Sequence, residues 1–178
     1  MPYAYAELET AAAFAVGAGP VHQRGPLRGR LKHFQKLGLP DLKTGKGRQV
    51  PYTYEHAVQW VIALLLAQTG LDPVVIVASI KAHWRQLASS IEAVTGVEAS
   101  SGYPYYLCIW PRVMSAAWDH QSPRPLTMQI MQFRTPFSVR PQEYELMRLL
   151  EGQPDAILTT VNLTRALVRL RTALPARP

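Results

Sequence analysis

The chain has 178 residues, 48% of them hydrophobic and 17% charged, which indicates one globular domain or two small ones and excludes a largely disordered chain. Its single cysteine, Cys108, excludes an internal disulfide and argues against a cysteine-based zinc site. The first residues carry acids and no basic segment, and no apolar stretch is long enough to cross a bilayer. We therefore expect a soluble cytoplasmic protein without membrane association.

The positive charge of the chain is concentrated in the 27 residues from His22 to Arg48. Eight lysines and arginines there oppose one acid, Asp41, which gives this segment a net charge of +7. The whole chain also carries +7, so the other 151 residues balance 11 cations with 11 anions. Such segregation is typical of a surface that meets phosphates, although an ordinary solvated face is the alternative. The charge pattern therefore favours a nucleic acid as the partner.

The N-terminal part of the chain predicts two short helices. The first covers residues 5–16, and the second begins at Pro26 and is closed by Gly38. One apolar stripe runs along the second helix, formed by Leu27, Leu31, Phe34 and Leu37. Gly29 weakens this helix, so we expect packing or a close approach of DNA to compensate, unless the helix begins later. The cationic side chains then lie off the stripe and face outward.

Residues 42–51 are cationic and interrupted by glycines, which predicts a short hairpin or wing. Thr53 is the expected N-cap of a third helix, Tyr54–Gln68. Asp72 is the expected N-cap of a fourth helix, which starts at Pro73 and runs to Trp84 or as far as Val94.

Beyond residue 96 the sequence becomes richer in β-forming residues and proline. It predicts three strands, Tyr105–Trp110, Thr127–Phe133 and Ala156–Val161, and two helices, Gln142–Leu150 and Leu163–Leu174, the latter capped by Asn162. A domain boundary near 96–102 would separate residues 1–95 from residues 96–178. The predicted fold class is mainly α with a small α/β part in the C-terminal domain.

The order of elements over residues 5–84 resembles the MerR-type winged helix. Three segments carry the resemblance: KHFQKLGLP (Lys32–Pro40), the wing KTGKGRQVPYT (Lys43–Thr53) and the helix junction LLLAQTGLDPVVIVASI (Leu64–Ile80). They are similar to the end of the family's recognition helix, to its glycine-arginine wing and to the junction that precedes its apolar helix. The resemblance implies an N-terminal winged helix that binds DNA.

The resemblance is incomplete. His33, Phe34 and Gln35 stand where the family has two tyrosines and an acid, and the wing is longer than usual. The family's long dimerisation helix is not evident, because glycine and proline interrupt residues 96–141. The resemblance therefore extends to DNA binding and not to metal or drug sensing.

A recognition helix over residues 26–37 assigns roles to the cationic side chains. Arg28 and Arg30, near its N-terminal end, are expected to read bases, whereas Lys32 and Lys36 are expected to contact phosphates. His33 suits either role, and the wing side chains with the Tyr52 hydroxyl suit the flanking DNA backbone. The predicted DNA-binding residues are Arg24, Arg28, Arg30, Lys32, His33, Lys36, Lys43, Lys46, Arg48 and Tyr52.

No motif supports catalysis, a metal or a cofactor. Gly45-Lys46-Gly47 lacks the preceding glycine and the following hydroxyl residue of a phosphate-binding P-loop. The five histidines show no metal-ligand spacing. We expect Cys108 to be a buried thiol. The aromatic residues around 103–118 suit a core or an interface better than a small-molecule pocket. We predict a protein that is not an enzyme.

The functional prediction is a sequence-specific transcriptional regulator of a bacterium or phage that binds double-stranded DNA as a homodimer. The C-terminal domain would serve dimerisation or bind a protein partner, with the leucine face of 163–174 and the strands as the candidate interface. One alternative is an excisionase-like or architectural factor that bends DNA. Another is a ligand-sensing or protein-interaction module whose cationic surface meets an acidic partner.

Overall fold

The computed structural model describes residues 2–18, 25–42, 50–95, 105–109, 128–132 and 159–174. These residues form the helices α1 (Tyr5–Ala15), α2 (Gly25–Lys36), α3 (Tyr54–Gln68), α4 (Pro73–Thr95) and α5 (Leu163–Ala173), and the strands β1 (Tyr105–Ile109), β2 (Met128–Gln132) and β3 (Thr159–Asn162). The described chain is mainly helical with a small antiparallel sheet, which confirms the predicted class at that level.

Three helices begin at the N-caps that the sequence predicts. The Thr53 hydroxyl accepts a hydrogen bond from the His56 backbone N–H, and the Thr53 N–H donates to His56 Nδ1 at 3.1 Å. At α4, Asp72 Oδ1 accepts from the Val74 N–H at 2.8 Å, and at α5, Asn162 Oδ1 accepts from the Arg165 N–H at 3.1 Å. Each cap satisfies a backbone donor that the first helical turn leaves without an intrahelical partner.

The sheet has the strand order β2-β1-β3, with both pairs antiparallel. In the central strand β1, Leu107 and Cys108 are fully buried. Burial raises the pKa of the Cys108 thiol to about 11, so the thiol is protonated at neutral pH. The prediction of a buried thiol is confirmed.

The leucine face of α5 lies in the intramolecular core and not on the surface. Leu163, Leu167, Leu170 and Leu174 are all buried, and α5 packs against α1, α3, α4 and β1. The prediction that this face is a dimer interface is therefore wrong, because the chain's own helices already cover it. Described residues on both sides of the expected boundary at 96–102 share one hydrophobic core.

Substitutions on α5 test this placement. Leu167→Ala is expected to lower the free energy of unfolding by about 2–5 kcal/mol, because it leaves a cavity where a fully buried side chain stood. Its neighbour Val168 is 52% exposed, so Val168→Ala should change the same quantity by less than about 0.5 kcal/mol. Urea denaturation measures both. Equal effects of the two substitutions would contradict the placement of this face in the core.

Some predicted elements lie outside the described residues. They are most of the wing, residues 43–49, the helix Gln142–Leu150 and the start of the third strand, residues 156–158. The aromatic residues Tyr103, Trp110 and Trp118 also lie outside them.

Candidate nucleic-acid interface

Helix α2 is held by its apolar stripe, as the sequence predicts. Leu31 and Phe34 are fully buried, and Leu27 and Leu37 are partly buried against the core. The helix packs against α1, α3 and α4. Its opposite side faces solvent, which leaves its polar positions accessible to a ligand.

The side of α2 that points away from the core carries small and cationic residues. Successive residues of an α-helix are about 100° apart around its axis, so four positions fall within an arc of about 60°. We call these four exposed residues the outward face: Gly25, Gly29, Lys32 and Lys36. A Cβ atom built at Gly25 or Gly29 would meet no atom within 4 Å. Packing therefore does not explain why a glycine occupies position 29. The close approach of a ligand remains the expected compensation for the helix stability that this glycine costs.

The two arginines expected to read bases lie on different sides of α2. Arg28 and Arg30 are two positions apart, which separates them by about 160° around the helix axis. His33 and Arg28 are exposed on the two flanks of the outward face, each about 70° from its middle, whereas Arg30 is exposed about 130° from it, nearer to the buried Phe34. The two arginines cannot point into a groove in the same direction.

Arg28 is bound to α1. Its Nε donates to both carboxylate oxygens of Glu9 at 3.1 and 3.0 Å, and its Nη2 donates to Oε1 at 2.9 Å. The Glu9 side chain is 5% exposed and the Arg28 side chain 56%. These hydrogen bonds, followed by the Coulomb attraction of Glu9, raise the pKa of the Arg28 guanidinium. The pair joins a buried carboxylate to a cation that still reaches solvent.

Tyr52 lies in the core. Its side chain is buried, its ring packs near those of Tyr5 and Trp60, and its hydroxyl accepts a hydrogen bond from Gln35 Nε2 at 2.8 Å. Desolvation raises the pKa of the Tyr52 hydroxyl, while the bond from Gln35 opposes this shift. This hydroxyl therefore has an internal structural role in place of the expected contact with a DNA phosphate. Tyr52 also pairs with Tyr3, whose N–H donates to the Tyr52 carbonyl at 2.9 Å.

The C-terminal end of α2 is anchored by α3 and α4. Trp60 Nε1 donates to the Leu39 carbonyl at 3.3 Å, and Lys81 Nζ lies 3.5 Å from the Leu37 carbonyl oxygen. Gly38 has φ +85°, and a Cβ there would lie 2.6 Å from Lys81 Nζ. The positive φ favours glycine here, whereas the Lys81 ammonium ends a flexible side chain that could move, so the backbone conformation confirms the predicted place of Gly38 at the end of this helix.

The structure brings five predicted site residues together on α2: Arg28, Arg30, Lys32, His33 and Lys36. The other predicted cations, Arg24, Lys43, Lys46 and Arg48, lie outside the described residues. Within the described chain Arg30, Lys32 and Lys36 form no ion pair, and the first turn of α2 contains no acid. The positive end of the helix dipole lies in the first turn, at the Gly25 end of the outward face, whereas Lys36 lies in the last turn. The outward face and its flanks form a cationic surface on one exposed helix.

Sequence reasoning missed the residues that orient this helix. Glu9, Gln35 and Lys81 hold α2 through contacts with Arg28, Tyr52 and Leu37. Two of these contacts join residues 17 and 19 positions apart and the third joins residues 44 apart, so no local pattern indicates them.

The described residues offer no metal site built from three or more histidine, cysteine or acidic side chains. Among the described helices, none combines the length and the apolar character that a membrane crossing requires. No protein-family model matches the chain, and no curated protein matches it in sequence.

Proposed function

We propose that this protein is a DNA-binding transcriptional regulator that places α2 in the major groove of double-stranded DNA, in a MerR-like winged-helix arrangement. The observation that carries the proposal is the cationic surface of α2. Lys32 and Lys36 project from the side opposite the buried Leu31 and Phe34, next to the uncovered Gly29. A helix of this kind can approach DNA closely and neutralise phosphates on contact.

The placement of the side chains suggests separate roles. Lys32 and Lys36 suit phosphates, since a lysine ammonium acts as a flexible point charge. An arginine can donate two hydrogen bonds to a guanine edge, but Arg30 lies about 160° around the axis from Lys32, so it does not enter the groove together with the outward face. His33 lies between Arg30 and the outward face and suits a phosphate or a base. Arg24 and the wing residues Lys43, Lys46 and Arg48 would extend the contacts along the DNA backbone.

The assembly we propose is a homodimer on a site with two-fold symmetry, in the cytoplasm and associated with the nucleoid. Two copies of one short recognition helix would double the number of base contacts. Because the leucine face of α5 is covered within the chain, the dimer contact must use another surface. The C-terminal part would also be available to a protein partner.

Selection of bound duplexes from a random library by the purified protein, at two salt concentrations, tests this function. An enriched inverted repeat is the expected result, since it reports both sequence preference and a two-fold dimer. An enriched site that the protein also bends strongly would indicate an architectural factor instead. If no motif is enriched and all binding is lost at moderate salt, the regulator function is refuted.

A further inference from the structure

Contacts between α1 and α2 contribute to the angle between these helices. Nine residues, Val16 to Arg24, separate the two helices in the sequence, whereas a helix-turn-helix motif is joined by a turn of three or four residues. Within the described chain, one polar contact between the helices is the pair of Glu9 and Arg28.

The pair leaves Arg28 able to bind a second anion. Arginine carries five N–H donors, and Glu9 engages the donor on Nε and one on Nη2. Nη1 has no hydrogen-bond partner among the described residues, and the Arg28 side chain is 56% exposed beside the outward face. The geometry fixes the plane of the guanidinium while one edge of it stays available. An oxygen of a DNA phosphate has the chemistry to accept from that edge.

We propose that Glu9 is a specificity-determining positioning residue, which aims Arg28 at a DNA phosphate while it cancels the charge of that arginine. The inference rests on the proposed function and refines it. Arg28 then contributes orientation at a chosen site and little to indiscriminate attraction, because the Glu9–Arg28 pair is neutral as a whole.

Glu9→Gln separates the two effects of the carboxylate, which are the positioning of Arg28 and the neutralisation of its charge. The amide can still accept a hydrogen bond from Arg28, but it no longer neutralises the guanidinium. The unpaired guanidinium then neutralises the phosphate charge that the neutral pair leaves uncompensated, which should make the slope of log affinity against log salt steeper by about 0.9. Because glutamine offers one acceptor oxygen in place of two, Arg28 is held less firmly in its plane and should also favour the selected site less. The ratio of affinities for the selected duplex and a scrambled duplex is expected to fall.

Glu7→Gln is the matched control. Glu7 lies on the exposed side of α1, and its carboxylate accepts from the Ala4 N–H at 2.7 Å in the capping arrangement. Glutamine serves in that arrangement as well, so this substitution removes the same charge from the same helix and keeps the cap. Its salt slope and its affinity ratio are expected to match those of the native chain.

Fluorescence anisotropy of the full chain with the selected and scrambled duplexes, over a series of salt concentrations, measures both quantities. Arg28→Lys provides a second variant, which keeps the charge and loses the two-donor geometry, so its affinity ratio should fall at an unchanged slope. If Glu9→Gln and Glu7→Gln give the same slope, or if Arg28→Lys keeps the full affinity ratio, the role assigned to Glu9 is overturned. A native chain that binds neither duplex refutes the proposed function itself, which is a different outcome.

Discussion

Replacing Lys32 and Lys36 together by glutamine is expected to weaken binding to a random-sequence duplex by about ten- to a hundredfold near 0.1 M salt. Both side chains lie on the outward face of α2, opposite its buried stripe. Two lost phosphate contacts should also flatten the slope of log affinity against log salt by about 1.8. Titrations followed by fluorescence anisotropy at several salt concentrations measure both effects.

A second double variant distinguishes binding through α2 from an effect of the net charge of the whole protein. Arg85 on α4 and Arg165 on α5 are exposed, so Arg85→Gln with Arg165→Gln removes the same charge from other helices. This control should change affinity by less than about threefold, because neither side chain lies on α2 and salt screens exposed charges that make no contact with the DNA. Equal losses in the two double variants would show that net charge, and not α2, governs the binding.

Trp60→Ala is expected to be the most destabilising single substitution, lowering the free energy of unfolding by about 3–5 kcal/mol. Trp60 is fully buried in α3, with Tyr5 and Tyr52 edge-on or tilted against its ring at centroid distances of 5.5 Å. Its Nε1 donates to the Leu39 carbonyl, so the substitution also releases the chain just beyond α2. Chemical denaturation monitored by circular dichroism gives the stability.

Trp60→Phe and Trp84→Ala serve as comparisons. The phenylalanine fills most of the space but leaves the Leu39 carbonyl without its donor, which should cost about 1–3 kcal/mol. Trp84 is partly exposed on α4, where its Nε1 donates to the carboxylate of Glu55, so its truncation should cost less than that of Trp60. A Trp60→Ala variant no less stable than Trp84→Ala would contradict the central place of Trp60 in the core.

Helix limits and caps were predictable because their signals are local. Thr53, Asp72 and Asn162 each bond a backbone N–H two or three residues further on, and Gly38 ends α2 with a positive φ. These interactions depend on neighbours in sequence, so residue types at fixed spacing reveal them. The apolar stripe of α2 was predictable for the same reason.

The contacts that orient the candidate site were not predictable in this way. Arg28 has the residue type and position of a base-reading side chain, but its partner Glu9 lies 19 positions earlier on another helix. Tyr52 follows a cationic wing in sequence, yet folding places its hydroxyl against Gln35 in the core. Such pairs depend on how the helices pack against one another, and this packing cannot be inferred from one sequence alone.

The leucine face of α5 illustrates a further ambiguity. A stripe of apolar residues at helical spacing predicts burial, but it does not distinguish the chain's own core from a second copy. Here α1, α3 and α4 provide the covering surface. The stripe was identified correctly, and only the structure supplied its partner.

The shifts of backbone amide NMR signals when a duplex is added to the labelled protein test the central claim most directly. We predict that the largest shifts fall on α2, at Gly25, Gly29, Lys32 and Lys36, and that they decrease as salt is added. The amides of Leu167 and Val168 on α5 should change little. Shifts confined to other elements, or no shifts at low salt, would contradict the assignment of α2 as the DNA-binding helix.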